Sequence, residues 1–222
     1  MLHDFPAIYD SVWRHDFRSP GFLAIDTPDL DSRRLRAWMV ALEHELGAVA
    51  SARGGQPFRI ASLGRFDQQV TTKFHLDGAP DESLLVLGYE PSEVASDVRL
   101  ADYSRAAHDM GLTPEEFLDR HNPMYRDGET LLAPYTTLLQ PPPPGWSRIL
   151  LINNSKRPHD GASPQGVLHQ ATIATPDPSR TRIINSMMLV TGGSRVPPDV
   201  PERFLSSDDT SGPIEPRYGD RT

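Results

Sequence analysis

Between residues 32 and 55 the apolar positions recur at Leu35, Trp38, Met39, Leu42 and Leu46. That spacing gathers them on one side of a helix. Asp31 or Ser32 supplies the N-cap, and Gly54-Gly55 the stop. A stripe of this kind far more often packs on a sheet than it receives a partner. The rest of the chain is dominated by short apolar or alternating runs bounded by Gly and Pro, the pattern of strands. These are "GFLAID" (21–26), "FRIASLGRFDQQVTTKFHLD" (58–77, one or two strands with a break at Gly64) and "ESLLVLGYEP" (82–91). They continue with "TLLAPYTTLLQ" (130–140), "WSRILLINNS" (146–155), "GVLHQATIAT" (166–175) and "RTRIINSMMLV" (180–190). The last two are expected to form a hairpin through "PDPSR".

Residues 98–124 change character. "VRLADYSRAAHDMG" reads as helical to Gly111, and Thr113, Pro114 and Glu116 form the opening of a second helix with a capping box. This helical insertion is expected to pack against the sheet rather than act as a lid. "PPPPG" (141–145) is a stiff connection. The expected architecture is mainly β with flanking helices, one domain over residues 1–193. The polar, Pro-rich tail 194–222 is expected to be flexible, with a flap over a site as its functional use.

Composition narrows the chemistry. In 222 residues there are 22 Pro and 16 Gly, which suits many short elements. Net charge is −8, and no basic face is visible for a nucleic-acid partner. There is no Cys, so thiolate zinc sites, iron–sulfur clusters and disulfides are excluded, and any metal must sit on His and carboxylates. No apolar run has the ~20 residues needed to span a bilayer, and no secretory pattern opens the chain. The expectation is a cytoplasmic protein without membrane or nucleic-acid partners, monomeric or homodimeric.

The candidate chemistry begins at "FHLD". His75 and Asp77 are the one His-x-acid pair in the chain, and chance alone gives about one at this composition. Context raises it. On a strand, residues i and i+2 share a side, so imidazole and carboxylate converge. His169 sits in the middle of another strand, where a lone His is usually a core residue unless a partner motif exists. If 166–175 and 180–190 pair as a hairpin, Arg182 lies opposite Ile173 and Ser186 opposite His169. A cation there needs an anion. Arg180 has the same parity.

His75-x-Asp77, then His169, then Arg182 resembles the Fe(II)/2-oxoglutarate-dependent oxygenase superfamily, with two His and one carboxylate as a facial triad. The order of elements over residues 20–192 resembles it too. The resemblance implies a double-stranded β-helix, a jelly-roll or cupin-like barrel with a helical insertion. It implies iron on His75, Asp77 and His169, and 2-oxoglutarate held at its distal carboxylate by Arg182, with Arg180 as the alternative. Lys73 and Asn153 are further candidates around the cosubstrate. It implies O2 as the third reactant, succinate and CO2 as products, and hydrogen abstraction from a C–H bond of an amino-acid-like or natural-product intermediate. With Asp77 present, hydroxylation, desaturation or ring closure is favoured over halogenation. Arg65, Gln69 and Thr71 share strand parity with His75 and are candidate substrate contacts; a solvent-facing edge is the equal alternative. Asn154 serves either a pocket or a loop cap, and His159 reads as part of a solvated charge cluster. Two other classes remain: a cupin-like metal- or ligand-binding barrel without oxygen chemistry, and a non-catalytic interaction protein.

Overall fold

The computed structural model describes residues 4–28, 30–192 and 195–211. It is a mixed fold of helices and two antiparallel sheets. The first sheet has the order β1-β6-β3-β8-β2, from β1 (Phe22–Thr27), β6 (Ser147–Asn153), β3 (Ser83–Tyr89), β8 (Ile183–Thr191) and β2 (Phe58–Asp67). The second has the order β5-β4-β7, from β5 (Thr136–Leu139), β4 (Ser96–Ala101) and β7 (Leu168–Ile173). Their facing sides share one apolar cluster: Leu85, Leu87, Leu150, Ile152, Met188 and Val190 from the first meet Leu100 and Val98 from the second. Burying apolar area at ~25 cal/mol per Å² makes this the adhesive between sheets.

The outer face of the five-stranded sheet is covered by α1 (Phe5–Val12), α2 (Ser32–Ala52) and α6 (Asp199–Ser206). The stripe on α2 does what its spacing predicts: Leu35, Met39, Leu42 and Leu46 are fully buried against that sheet. Asp31 caps the helix by accepting from the Arg34 N–H at 2.8 Å. Gly88 is a true close approach, since a Cβ there would lie 2.5 Å from the Met39 sulfur. The outer face of the three-stranded sheet is covered by α3 (Tyr103–Asp109), α4 (Pro114–Arg120) and α5 (Arg126–Leu132). Phe117, Tyr103 and Leu132 are buried there with Phe74 and Leu168, so the insertion packs. The capping box at Thr113 and Glu116 forms.

Several expectations are corrected. Residues 96–101 form β4, with Val98 and Leu100 turned inward, and the helix starts only at Tyr103. Residues 126–132 are helical rather than extended, which leaves a four-residue β5. The β2 strand runs through Gly64; its irregularity is a register shift between Ile60 and Ser62, a bulge rather than a break. The expected β7–β8 hairpin does not form. β7 pairs with β4, β8 pairs with β2 and β3, and Ser186 lies opposite Gly64 and Leu87. The connection from 174 to 182 is too long for a tight turn and crosses between sheets. In the tail, 199–206 is a helix whose Phe204 is buried against the α2 side of the core. Arg36, fully buried, donates to the Phe204 carbonyl at 2.6 Å and pairs with Asp208 at 2.6 Å. Residues 193, 194 and 212–222 lie outside the described residues. Among the described residues no helix is long and apolar enough to cross a membrane.

Candidate metal centre

After Asp67 the chain leaves the five-stranded sheet and crosses to the edge of the other one. Thr72 N–H donates to the Ala171 carbonyl at 2.8 Å, and His75 and His169 exchange both backbone hydrogen bonds at 3.1 Å. Residues directly opposite in an antiparallel pair put their side chains on one face. The two imidazoles accordingly sit with centroids 4.2 Å apart. Asp77, two residues on, points to the same side. Its Oδ1 lies 3.4 Å from His75 Nε2 and 3.8 Å from His169 Nε2. One donor atom from each of the three lies within 4.8 Å of the others. Leu100, opposite His169 on β4, belongs to the inter-sheet cluster, so this face is the interior.

The neutrality of His169 and the ionisation of Asp77 suit a cation, while on His75 a metal competes with the proton that Asp77 favours. Burial disfavours charge on His169, the neighbouring His75 adds to this, and Asp77 only partly offsets it, so its pKa falls to about 4. It is therefore neutral at pH 7, with a lone pair available. For His75, burial opposes protonation, but the bond to Asp77 and the Lys73 carbonyl outweigh it and hold the pKa above the usual value. That carbonyl lies 2.7 Å from Nδ1, which fixes the ring and leaves Nε2 for a ligand. Asp77 is lowered: burial works against the carboxylate, but His75 and His169 prevail. His169 Nδ1 is buried and has no hydrogen-bond partner. Two nitrogens and one carboxylate oxygen form a donor set that fits Fe(II).

Arg182 enters the inter-sheet space just before β8. It is 3% exposed. It donates to Ser96 Oγ at 3.1 Å and the Gln68 carbonyl at 2.9 Å, and its guanidinium carbon lies 5.4 Å from the centre of the Tyr89 ring. Nη2 is buried without a partner, and among the described residues no carboxylate pairs with this guanidinium. Burial draws its pKa below the ordinary value, against the pull of Tyr89 and Asp67. Beside it is a cavity of about 160 Å³, lined by Tyr89, Val98, Leu150, Pro141–Pro144 and Trp146 among others. The Tyr89 phenol is buried, which raises its pKa; Arg182 and Arg148 pull it down and the Asp77 charge pushes it up. A buried guanidinium that has two neutral acceptors, no carboxylate partner among the described residues and an N–H left over fits a carboxylate ligand. The larger cleft, about 840 Å³, lies between α1, the 53–56 turn and the 159–164 loop; neither the triad nor Arg182 lines it.

The other candidates sit elsewhere. Arg180 is on the surface, paired with Glu93 and, at 3.2 Å, with Asp177. Lys73 pairs with Glu129 at 3.7 Å. Asn153 is a loop cap, donating to the Val12 carbonyl and accepting from the Ser155 N–H. Arg65 forms an ion pair with Glu90 at 3.2 Å, on the α2 side of the sheet. Gln69 holds the 177–180 turn through three hydrogen bonds. Thr71 caps the Ile173 N–H at 2.9 Å. The expected common face of these residues with His75 fails because residues 68–73 are not a regular strand, which breaks the parity. His159 is exposed together with Lys156, Arg157 and Asp160, as expected of a solvated cluster, and its ring also packs against Phe17 and His108, at 4.7 and 5.0 Å between centroids. Sequence reasoning missed Tyr89, Ser96 and Gln68. Only Tyr89 carried a signal, as an aromatic ending an apolar strand just before Pro91.

No protein-family model matches the chain, and no curated protein matches it. Among solved structures, the iron and alpha-ketoglutarate-dependent endoperoxidase NvfI aligns over 81% of both chains at 14% identity and TM-score 0.40. A variant of the same protein aligns over the same share at 13% identity and TM-score 0.42. At this similarity the functional reading stands on the site's own geometry.

Proposed function

We propose that this chain is an Fe(II)/2-oxoglutarate-dependent oxygenase acting on a C–H bond of a small molecule, on a fold of the double-stranded β-helix type. The observation that carries the reading is a pairing. His75, Asp77 and His169 bring their donor atoms within 4.8 Å of one another, and farther along the inner face of the three-stranded sheet, at Ser96, lies a buried guanidinium with an unsatisfied N–H. A binding barrel without oxygen chemistry would explain the first feature and not the second. Burying a cation without an anion is costly, and a dicarboxylate cosubstrate removes that cost.

His75 and His169 would hold the metal through neutral imidazole nitrogens and Asp77 through one carboxylate oxygen, leaving open positions on one side. Arg182 would orient the cosubstrate by its distal carboxylate, with Tyr89 beside it. Leu150 and Val98 line the cavity beside Arg182 and would limit water around the distal end of the cosubstrate. Bound iron and 2-oxoglutarate supply the oxidative decarboxylation, releasing succinate and CO2, that powers C–H oxidation. The product is a hydroxylated, desaturated or cyclised amino-acid-like or natural-product intermediate.

The test is anaerobic calorimetry with Fe(II), on the wild type and Asp77→Ala, followed by succinate release from 2-oxoglutarate in air. Wild type is expected to bind one Fe(II) and release succinate, and Asp77→Ala to lose both while unfolding cooperatively. Undiminished Fe(II) binding and succinate release in Asp77→Ala would remove Asp77 from the site and overturn the reading.

A further inference from the structure

The three donors are held by two different bodies. His75 and His169 are joined through their backbones at the edge of the three-stranded sheet. Asp77 begins the turn that leads back to β3 in the other sheet. Among the described residues, one side chain bonds the Asp77 backbone to that second sheet. Asn154, immediately after β6, is fully buried. Its Oδ1 accepts from the Asp77 N–H at 2.9 Å, and its Nδ2 donates to the Asp77 carbonyl at 3.0 Å. The amide thus imitates a neighbouring strand and satisfies both backbone groups of one residue. Nδ2 donates also to Ser83 Oγ at 3.0 Å, and the Asn154 N–H donates to the Ser83 carbonyl at 2.9 Å. Ser155, the next residue, exchanges hydrogen bonds with the Ser83 backbone through its hydroxyl, and its carbonyl accepts from Tyr103 Oη at 2.8 Å. Asn154 is therefore anchored to β3 and β6 before it reaches Asp77.

We infer that Asn154 is a positioning residue that sets the separation between the Asp77 carboxylate and the two imidazoles. The inference rests on the metal-site reading above and adds a residue that touches no metal. The side-chain amide suits this role because it offers one acceptor and two donors, and all three are used. No other residue type of this size has that set. Asp keeps the acceptor and loses the donors; Ala loses both. Without the clamp the two backbone groups of Asp77 turn to water, and the 3.4 and 3.8 Å spacings to His75 and His169 are no longer imposed. Outer partners of metal ligands typically account for about 10–100-fold in affinity.

The experiment measures Fe(II) and Co(II) affinity anaerobically, with thermal unfolding of each metal-free protein, for wild type, Asn154→Ala, Asn154→Asp and Ser104→Ala. Ser104 donates a buried hydrogen bond to the Gly166 carbonyl at 2.9 Å in the same region and does not touch Asp77. It serves as the purely structural control. Expected are a loss of affinity of about 10–100-fold in both Asn154 variants, an altered Co(II) spectrum, and unchanged affinity in Ser104→Ala despite its lower Tm. If Asn154→Ala fails to fold, Asn154→Asp carries the test, because it keeps size and the Asp77 N–H contact. Wild-type affinity in a folded Asn154 variant overturns the inference and leaves the metal site standing. Equal losses in Ser104→Ala and the Asn154 variants also overturn it, by showing a general loosening. A wild type that binds neither metal removes the metal-site reading itself, and the inference with it.

Discussion

Replacing Arg182 by Met separates function from stability. In the folded protein the guanidinium gives up bulk solvent and receives two neutral acceptors and a Tyr face. Its Nη2 receives nothing. The desolvation of a buried ion is several kcal/mol, while the two hydrogen bonds return about 0.5–3 kcal/mol each, depending on how far the charge strengthens them. These terms oppose each other and are similar in size. Arg182→Met, of similar length and apolar, is therefore expected to leave stability within about 1 kcal/mol of wild type or to raise it. Affinity for the cosubstrate behaves differently. A bidentate contact with a carboxylate comprises two charge-assisted bonds of about 1.5–3 kcal/mol each. Their loss lowers affinity by about 10²–10⁴-fold. The assay is anaerobic calorimetry of Mn(II)-loaded protein with 2-oxoglutarate and with pyruvate, which lacks the distal carboxylate, plus thermal unfolding. Wild type should prefer 2-oxoglutarate, and Arg182→Met should bind both equally weakly. A variant that loses more than about 3 kcal/mol of stability yet binds 2-oxoglutarate as wild type does would make Arg182 a structural residue and refute the reasoning.

Three further outcomes follow from the fold. Burial works to raise the Glu90 pKa, but donors from Asn185, Ser32 and Arg65 outweigh it and hold the pKa below the ordinary 4.5. A lowered carboxylate stabilises fully above its unfolded pKa and loses that contribution as pH falls through its folded value. Denaturant titrations should therefore show wild type losing its advantage over Glu90→Gln below pH ~4.5; a constant difference from pH 7 to 3 would contradict this. Phe204→Ala should cost about 3 kcal/mol, near the low end for a buried Phe, and should make the 199–211 segment the first site of limited proteolysis; unchanged Tm and cleavage pattern would show that α6 is not docked. Gly166→Ala should fail to accumulate as folded protein, since its Cβ would lie 1.8 Å from the Ser155 carbonyl oxygen; a wild-type melting curve would disprove that packing.

Much of the scaffold was legible because its signals are local. The α2 stripe, its Asp31 cap, and the apolar runs that became β1, β3, β6, β7 and β8 all show in short windows. β4 was hidden because its six residues run straight into a helix-forming segment, and only the Val98 and Leu100 alternation marks it. The sheet partners of β7 and β8 were misread because pairing across sequence is set by where apolar faces meet, which no local window contains. The same division holds at the site. His75 and Asp77 are two residues apart on extended chain, so their convergence follows from backbone geometry. Arg182 reached the interior despite the wrong hairpin, because Ser96, which it contacts, is paired with the predicted neighbour Ile173. Tyr89 and Gln68 come from separate segments and reach Arg182 only in the folded chain; Asn154 stands out as a pocket or cap residue, but its contact with Asp77 is likewise made only by folding. Lys73, Gln69 and Thr71 were assigned by a strand parity that residues 68–73 do not keep.

The central claim, that "FHLD" is part of an iron site with its cosubstrate beside it, is tested most directly by anaerobic visible spectroscopy. Fe(II) is added to the metal-free protein, then 2-oxoglutarate, and the sequence is repeated with His75→Ala. The account predicts a weak metal-to-ligand charge-transfer band that requires both additions and is absent in His75→Ala. No band with iron and 2-oxoglutarate in excess, or an equal band in His75→Ala, would contradict it.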